Sequence, residues 1–167
     1  MSTDFLIRPA GVHDVATVMQ FIRELAAYER LSHMVVADEA LLRDTLFGAR
    51  PGAEVLLVCE RQGNGELAVG FALFFHNFST FLGRPGLYLE DLFIQPAHRG
   101  KGYGRAMMVH LARLAVQRGC GRFEWSVLDW NEPSIRFYRS LGAVGMDDWT
   151  VQRVAGDALI ALAAQGG

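Results

Sequence analysis

Arg99-Gly100-Lys101-Gly102-Tyr103-Gly104 is the stretch that decides the fold of this 167-residue chain. An apolar segment precedes it at residues 87–94, and an amphipathic pattern follows it at residues 105–117. A strand, a glycine turn and a helix N-terminus in this order make an anion site, because the first helical turn leaves N–H groups unpaired at the positive end of the helix dipole. Glycine lets a ligand approach the backbone closely, and Arg99, Lys101 and Arg105 add positive charge. The stretch therefore predicts a cradle for a cofactor that carries a pyrophosphate.

The spacing of the glycines separates three classes of cofactor. A P-loop needs G-x-x-x-x-G-K-[ST], and no Lys-Ser or Lys-Thr pair follows these glycines. A dinucleotide fingerprint needs G-x-G-x-x-G, whereas this chain has Gly100-x-Gly102-x-Gly104. The pattern Arg99-x-x-Gly102-x-Gly104 instead resembles the R/Q-x-x-G-x-G/A signature of the GNAT N-acetyltransferase superfamily, whose members bind acyl-coenzyme A. The residues alone leave open a glycine-rich turn before an ordinary helix.

Composition and charge predict one globular domain, residues 1–167. Hydrophobic residues make up 51% of the chain and charged residues 20%, which is typical of a folded domain. The net charge of -2, without a long basic run, argues against a nucleic-acid partner. The cysteines lack a C-x-x-C motif and the histidines lack ligand spacing, which favours a reduced, cytoplasmic protein without a metal. We expect no signal peptide and no membrane span, because no window reaches the roughly 18 apolar residues of a span.

The apolar pattern predicts a mixed α/β domain in the order β-α-α-β-β-β-α-β-α-β, followed by a C-terminal helix. Strands are expected at residues 5–8, 54–60, 67–75, 87–94, 123–128 and 149–154, and helices after Asp14, at residues 38–47 and 105–117, after Asn131, and at residues 157–164. Gly63-Asn64-Gly65 predicts the turn of an antiparallel hairpin, and the 105–117 helix is expected to join two parallel strands. Asp14 and Asn131 suit helix N-caps, and Gly48 and Gly142 suit helix C-termini.

Three segments resemble the diamine acetyltransferase (spermidine/spermine N-acetyltransferase) subfamily of the GNAT enzymes. They are YLEDLF at residues 88–93, RGKGYG at residues 99–104 and DWNEPSIRFY at residues 129–138. The segments IRPA at residues 7–10 and LAAYE at residues 25–29 are similar to it as well. The resemblance implies a GNAT fold over nearly the whole chain, acetyl-CoA as the cofactor, a small amine as the acceptor, and a homodimer.

The resemblance also implies where acetyl-CoA binds. The pyrophosphate is expected to meet the backbone N–H groups of the glycine turn, with Arg99 beside it, and the pantetheine arm is expected to pair with the backbone of Leu92 and Ile94. The strand that carries them is expected to bulge near Glu90 and Asp91 and to separate from the next strand. The predicted cofactor residues are Leu92, Ile94, Arg99, Gly100, Lys101, Gly102, Tyr103, Gly104, Arg105, Asn131 and Tyr138.

The same resemblance implies that Tyr138 is the general acid, and Glu90, a carboxylate in an apolar strand, is the predicted base or water-positioning residue. A departing thiolate gains from a nearby proton donor, since a free thiol titrates at about 8.5. An alkylamine is mostly protonated at neutral pH and must lose a proton before it attacks. The residues alone leave open that Tyr138 is a core tyrosine and that Glu90 pairs with a basic residue or acts through water. Strand alternation predicts that Glu90 and Asp91 face opposite sides of the sheet.

The predicted acceptor residues are Tyr28, Glu29, Ser79, Thr80, Glu90 and Asp91, with Asp129 and Glu132 as further candidates. Polyamine-specific relatives carry an acidic residue before a Trp-x-Gly in the loop that reads STFLG at residues 79–83 here. This loop is more similar to that of relatives that act on thialysine. A hydroxyl pair suits a polar or zwitterionic acceptor better than a dicationic chain. We therefore expect thialysine or a lysine analogue first, and a polyamine second.

Two other functions stay open on the sequence alone. One is the acetylation of a protein N-terminus or lysine, and the other is an acyl-CoA sensor without catalysis. Four phenylalanines are expected at the dimer interface, in the acceptor pocket or in the interior: Phe74, Phe75, Phe78 and Phe81. His98 is expected to be a solvated loop residue.

Overall fold

The computed structural model describes residues 4–166. The strands within them are β1 (Phe5–Pro9), β2 (Glu54–Gln62), β3 (Gly65–Ser79), β4 (Arg84–Ile94) and β5 (Phe123–Trp125), and the α-helices are α1 (Val15–Tyr28), α2 (Glu39–Phe47), α3 (Tyr103–Gln117), α4 (Glu132–Ser140) and α5 (Gly156–Ala163). The chain divides into two compact units, Met1–Ser126 and Val127–Gly167. The sheet and α1 to α3 belong to the first unit, and α4 and α5 belong to the second.

The strands form one mixed sheet in the order β1-β2-β3-β4-β5. The pairs from β1 to β4 are antiparallel, and β5 runs parallel to β4. The predicted hairpin is confirmed with a two-residue turn, because Gln62 pairs with Gly65. The predicted parallel pair is confirmed too, with α3 as the connection that parallel strands require. The predicted α/β class, a mixed sheet flanked by helices, is therefore correct.

The two faces of the sheet pack against different helices. Phe21 of α1 stacks on Phe71 of β3 with ring centroids 5.8 Å apart, in an apolar core that also includes Cys59 of β2. The next residue of β2, Glu60, bonds instead to the Tyr103 hydroxyl of α3. Because consecutive strand residues face opposite sides, α3 covers the face opposite to α1. The start of α3, which carries the glycine turn, is thereby fixed over β2.

Two predicted elements of the C-terminal part differ from the structure. The strand expected at residues 149–154 is absent from the described residues, and Trp149 and Val151 there are 76% and 77% exposed. A β-strand needs a neighbouring strand with which it can pair. The sequence pattern indicates a propensity for β-structure but does not show which strand would be the neighbour. The strand expected at residues 123–128 is shorter, since β5 ends at Trp125.

Asp14 occupies the predicted N-cap position of α1, but its side chain makes no capping hydrogen bond to that helix. Its buried carboxylate accepts two hydrogen bonds from the Arg8 guanidinium, at 2.8 and 3.0 Å, and one from the Gly11 N–H at 2.8 Å. A bidentate pair with arginine is stronger than a neutral cap. Asp14 therefore ties β1 to the start of α1.

Replacing Asp14 with asparagine is expected to lower the free energy of unfolding by about 1–3 kcal/mol, because Arg8 and the Gly11 N–H lose a charged acceptor. The hydrogen bonds from Arg8 hold the pKa of the Asp14 carboxyl below its ordinary value. The stabilisation is therefore complete above the unfolded pKa of about 4 and is lost as the pH falls through the lower folded pKa. Urea unfolding at pH 7 and pH 3 measures both effects. An asparagine variant as stable as the parent at pH 7 contradicts this role.

Candidate active site

The fourth strand carries an extra residue at Glu90. Leu73 of β3 pairs with Asp91, whereas the next residue, Phe74, pairs with Leu89, so that Glu90 has no partner on β3. The ladder between β4 and β5 ends at the same place, with Leu89 opposite Trp125 as its last pair. The predicted bulge is confirmed, and β4 continues without β5 beside it from Glu90 onwards. The bulge also interrupts the strict alternation that predicted opposite faces for Glu90 and Asp91.

The edge of β4 beyond the bulge presents backbone groups away from β3. The carbonyl oxygen of Phe93 lies against Gly70 of β3. Because the backbone polar groups of consecutive strand residues point to alternate edges, those of Leu92 and Ile94 point to the opposite edge. The Nε of Arg99 reaches the Ile94 carbonyl oxygen at 2.9 Å. Leu92 and Ile94 are the two residues predicted to hold the pantetheine arm. Their backbone groups face the side on which an extended, amide-containing ligand could pair with the strand.

The glycine turn has the conformation that its sequence predicts. Gly100 and Gly102 adopt φ values of +78° and +85°, and a Cβ at either position would meet no atom within 4 Å. Helix α3 begins directly after it, two residues earlier than predicted, and in an α-helix the N–H groups of the first turn point out of the N-terminus. Open space therefore lies over a turn whose backbone donors suit an anion.

Three side chains of this segment turn inward to one carboxylate. Glu60 Oε1 accepts hydrogen bonds from Lys101 Nζ at 2.8 Å, from the Tyr103 hydroxyl at 2.7 Å and from His98 Nδ1 at 2.9 Å. The expectation that His98 is solvated is wrong, because its side chain is 19% exposed and bonded to Glu60. The Lys101 ammonium, predicted to meet the cofactor, is already paired. The sequence analysis missed Glu60, although a carboxylate that ends the apolar run of residues 55–60 is a usable signal.

Arg99 joins the glycine turn to the end of α1. Its guanidinium lies 4.9 Å from the ring centroid of Tyr28 and 5.7 Å from that of Phe93. Such cation–π contacts fix the side chain over aromatic faces while its charge stays near the surface. The predicted acceptor residue Tyr28 is thereby brought beside the predicted cofactor residue Arg99.

Three predicted acceptor residues form an acidic cluster, which we define as Glu29, Glu90 and Asp91. Burial, and to a smaller extent the negative charges of Glu90 and Glu29, raise the pKa of Asp91 to about 6. Burial also raises the pKa of the Glu29 carboxyl. Since each carboxylate disfavours charge on its neighbours, a cation among them is stabilised. The effect of both Glu90 and Glu29 on the pKa of Asp91 indicates that the three carboxylates lie within electrostatic range of one another near the bulge.

The other two predicted acceptor residues lie elsewhere. Ser79 is only 6% exposed, and its hydroxyl accepts a hydrogen bond from the Leu82 N–H at 3.2 Å, inside the turn between β3 and β4. Its strand partner is Arg84, and six residues of β4 separate Arg84 from Glu90, which is about 20 Å along an antiparallel strand. Within one chain, Ser79 and Thr80 do not reach the acidic cluster, and Ser79 shapes the turn.

The second unit carries the remaining predicted residues. The buried Asn131 side chain accepts a hydrogen bond from the Ser134 N–H at 3.4 Å and caps α4, as predicted. Tyr138 is half-buried on α4, with its ring centroid 5.3 Å from that of Phe137. Asp129 is exposed, and Glu132 is 3.6 Å from Arg136 across one helical turn. The contacts of Asn131 and Tyr138 with a cofactor stay predictions.

Residues 4–166 contain neither a metal-binding cluster nor a membrane-spanning helix. No group of three or more His, Cys, Asp or Glu side chains there could hold a metal ion. None of the helices in the same residues has both the length and the apolar character to cross a membrane.

A strand that bulges and leaves its parallel neighbour, followed by a glycine turn at a helix N-terminus, is the architecture of an acyltransferase that holds its acyl carrier between two strands. The model of the "Acetyltransferase (GNAT) family" matches residues 18–143. The chain is 37% identical over 164 residues to the thialysine N-epsilon-acetyltransferase of Mus musculus, covering 94% of this chain and 96% of that one. It is 32% identical over 197 aligned positions to the L-ornithine N5-acetyltransferase of Arabidopsis thaliana, covering 93% of this chain and 86% of that one.

A solved structure agrees over the whole length. An integron cassette protein of V. cholerae matches with a TM-score of 0.78 at 29% identity, covering 99% of both chains. The chain belongs to the GNAT acetyltransferase family and is an acetyl-CoA-dependent N-acetyltransferase. The resemblance stated from its motifs is confirmed.

Proposed function

We propose that this enzyme transfers the acetyl group of acetyl-CoA to the primary amine of a small molecule, with thialysine or a lysine-like amine as the first candidate and a diamine or polyamine as the second. The observation that carries the proposal is the acidic cluster at the point where β4 leaves β5. Carboxylates at the start of an open strand edge attract the ammonium group of an acceptor and hold it beside a bound thioester. The relatives that act on thialysine and ornithine support an amino-acid amine.

The residues of the first unit fit the phosphates and the pantetheine arm of acetyl-CoA. The open space over Gly100 and Gly102, with the N–H groups that begin α3, suits the pyrophosphate. The outward backbone of Leu92 and Ile94 suits the amides of the arm. Arg99 lies between the glycine turn and the open edge of β4. Its guanidinium is placed to exchange its hydrogen bond to the Ile94 carbonyl oxygen for one to a phosphate. Acetyl-CoA supplies a thioester carbonyl carbon that an amine can attack.

Each step of the transfer has a candidate residue. Glu29 and Asp91 hold the ammonium form of the acceptor, and Glu90, exposed on the bulge, takes one proton from it directly or through water. The neutral nitrogen then forms a C–N bond as the C–S bond breaks, and its second proton passes to solvent water, from which the Tyr138 oxygen regains a proton after the transfer. The Tyr138 hydroxyl gives its proton to the departing sulfur, which leaves as a thiol. Asn131 is proposed to contact the cofactor from the start of α4.

Release of free thiol from acetyl-CoA across a panel of acceptors tests the proposal. The panel contains thialysine, lysine, ornithine, spermidine, spermine, putrescine and a short peptide. Turnover that is at least tenfold faster with the amino-acid amines than with the polyamines or the peptide is the expected result. Turnover with the peptide alone favours a protein acetyltransferase. Binding of acetyl-CoA without any turnover favours a sensor.

We propose further that residues 1–167 act as one domain in the cytoplasm and assemble as a homodimer. The four phenylalanines divide: Phe74 is buried and Phe75 half-buried, whereas Phe78 and Phe81 are 59% and 98% exposed. Two exposed phenyl rings beside the 53% exposed Leu82 make an apolar patch at the tip of the β3–β4 hairpin. A second copy of the chain is the occupant that we propose for it.

Replacing Phe78 and Phe81 together with serine is expected to convert a dimer into a monomer, because the apolar patch is lost. Sedimentation velocity measures the mass of both forms. Val36→Ser is the matched control, since Val36 is 89% exposed on another part of the chain. A parent protein that sediments as a monomer refutes the homodimer, and a double variant that stays dimeric refutes this interface.

A further inference from the structure

Glu60 concentrates three hydrogen bonds on one oxygen. Its Oε1 atom accepts from His98, Lys101 and Tyr103, which stand before, within and after the glycine turn. An ionised carboxylate only accepts hydrogen bonds, so His98 Nδ1 carries the hydrogen. The turn is therefore fastened to β2 at three points.

The donors keep this buried carboxylate charged. Hydrogen bonds from Lys101, then Tyr103 and His98, lower the pKa of Glu60 to about 2. An unpaired carboxylate at a site that is 8% exposed would be costly. The Lys101 ammonium supplies the balancing charge, so that the anion site above the turn does not face an uncompensated negative group.

We propose that Glu60 is a positioning residue that holds the glycine turn in its phosphate-binding conformation before the cofactor binds, and that Lys101 is its counter-ion rather than a ligand of the phosphates. The inference rests on the proposed binding of acetyl-CoA at this turn. Glycines at positive φ are costly to order, because glycine has the most conformational freedom to lose. The hydrogen bonds from His98 and Tyr103 to Glu60 lie on either side of Gly100 and Gly102 and order these glycines during folding. Less conformational entropy is then lost when the ligand binds.

Glu60→Gln changes the Kd for CoA in opposite directions under this proposal and under the alternative that Lys101 binds the phosphates. If Glu60 orders the turn, the amide weakens all three charge-assisted bonds and CoA binds less tightly. If Lys101 were a phosphate ligand that Glu60 restrains, the same change would free the lysine and tighten CoA binding. The two hypotheses therefore predict opposite changes in Kd.

Titration calorimetry of the full chain with CoA, together with steady-state kinetics, makes the test. In Glu60→Gln we expect the Kd for CoA and the KM for acetyl-CoA to rise about tenfold, with kcat and the KM for the amine within about twofold. Lys101→Met is expected to weaken CoA binding as well, and the double variant to be no weaker than the poorer single variant. Full additivity of the two changes overturns the coupling.

Two further variants serve as a control and as an independent test of the hydrogen bonds to Glu60. Glu54→Gln is the matched control, because Glu54 also lies on β2 and pairs with Arg118 just beyond the other end of α3. It should leave the Kd for CoA within about twofold. Tyr103→Phe removes one hydroxyl from a buried ring and should raise the Kd about threefold, even if Glu60→Gln fails to fold. An unchanged or lower Kd in both Glu60→Gln and Tyr103→Phe overturns the proposal, whereas a parent chain that does not bind CoA refutes the proposed function instead.

Discussion

Replacing Gly102 with aspartate abolishes CoA binding while the chain still folds; this is the result that we expect. Gly102 has φ +85° and precedes the first residue of α3, so an aspartate there places its carboxylate where the phosphates are proposed to bind. Aspartate is also a good N-cap, and its own oxygen would take the N–H groups that the ligand needs. The left-handed backbone adds a cost of about 1–2 kcal/mol to folding.

Gly119→Asp is the control for that experiment. Gly119 has φ +72° just beyond the other end of α3, and a Cβ there also meets nothing within 4 Å. Gly119→Asp should lose at least as much stability as Gly102→Asp in urea unfolding, because its carboxylate lies at the negative end of the α3 dipole, but only Gly102→Asp should lose CoA binding in titration calorimetry. Normal CoA affinity in Gly102→Asp would remove the glycine turn from the cofactor site.

Replacing Tyr138 with phenylalanine is expected to lower kcat at least about 100-fold, with the Kd for CoA within about twofold. The change removes only the hydroxyl, so the ring keeps its packing against Phe137, whereas the departing thiolate loses its proton donor. A loss confined to kcat is the mark of a group that acts in the transition state. Thiol release at saturating acetyl-CoA measures it.

The matched control is Tyr88→Phe. The Tyr88 hydroxyl lies 2.8 Å from Ser126 Oγ on the sheet, and its loss should change kcat less than about threefold. If Tyr138→Phe turns over as fast as the parent, Tyr138 is not the general acid, and its tyrosine serves packing, as its helical spacing also allows.

The local parts of this molecule are those that the sequence predicts well. The glycine turn, α3 after it and the hairpin at Gly63-Asn64 depend on glycines and on apolar spacing within a few residues. The bulge at Glu90 followed from resemblance, since no local pattern marks it. The three residues of the acidic cluster were predicted one by one as acceptor residues. The sequence did not predict that they lie close together, because this depends on the packing of α1 near β4.

Contacts between residues that are far apart in the sequence explain what the sequence analysis did not predict. Glu60 is separated by 38, 41 and 43 residues from the donors that it binds, so its role depends on where α3 crosses the sheet. The recognition role of Ser79 stays a prediction from its sequence position, and the turn that sets the direction of its side chain was not part of that prediction. The strand expected at residues 149–154 had the right propensity and no partner in the described chain.

The open edge at Leu92 and Ile94 has a consequence for how such an enzyme can diverge. Main-chain N–H and C=O groups are the same in every residue except proline, so most substitutions along this edge keep the backbone groups that we propose to hold the acyl carrier. The acidic cluster, in contrast, is built from side chains, and one base change can alter its charge. If the two parts have the proposed roles, a lineage can exchange one acceptor for another without having to rebuild the half of the site that delivers the acetyl group.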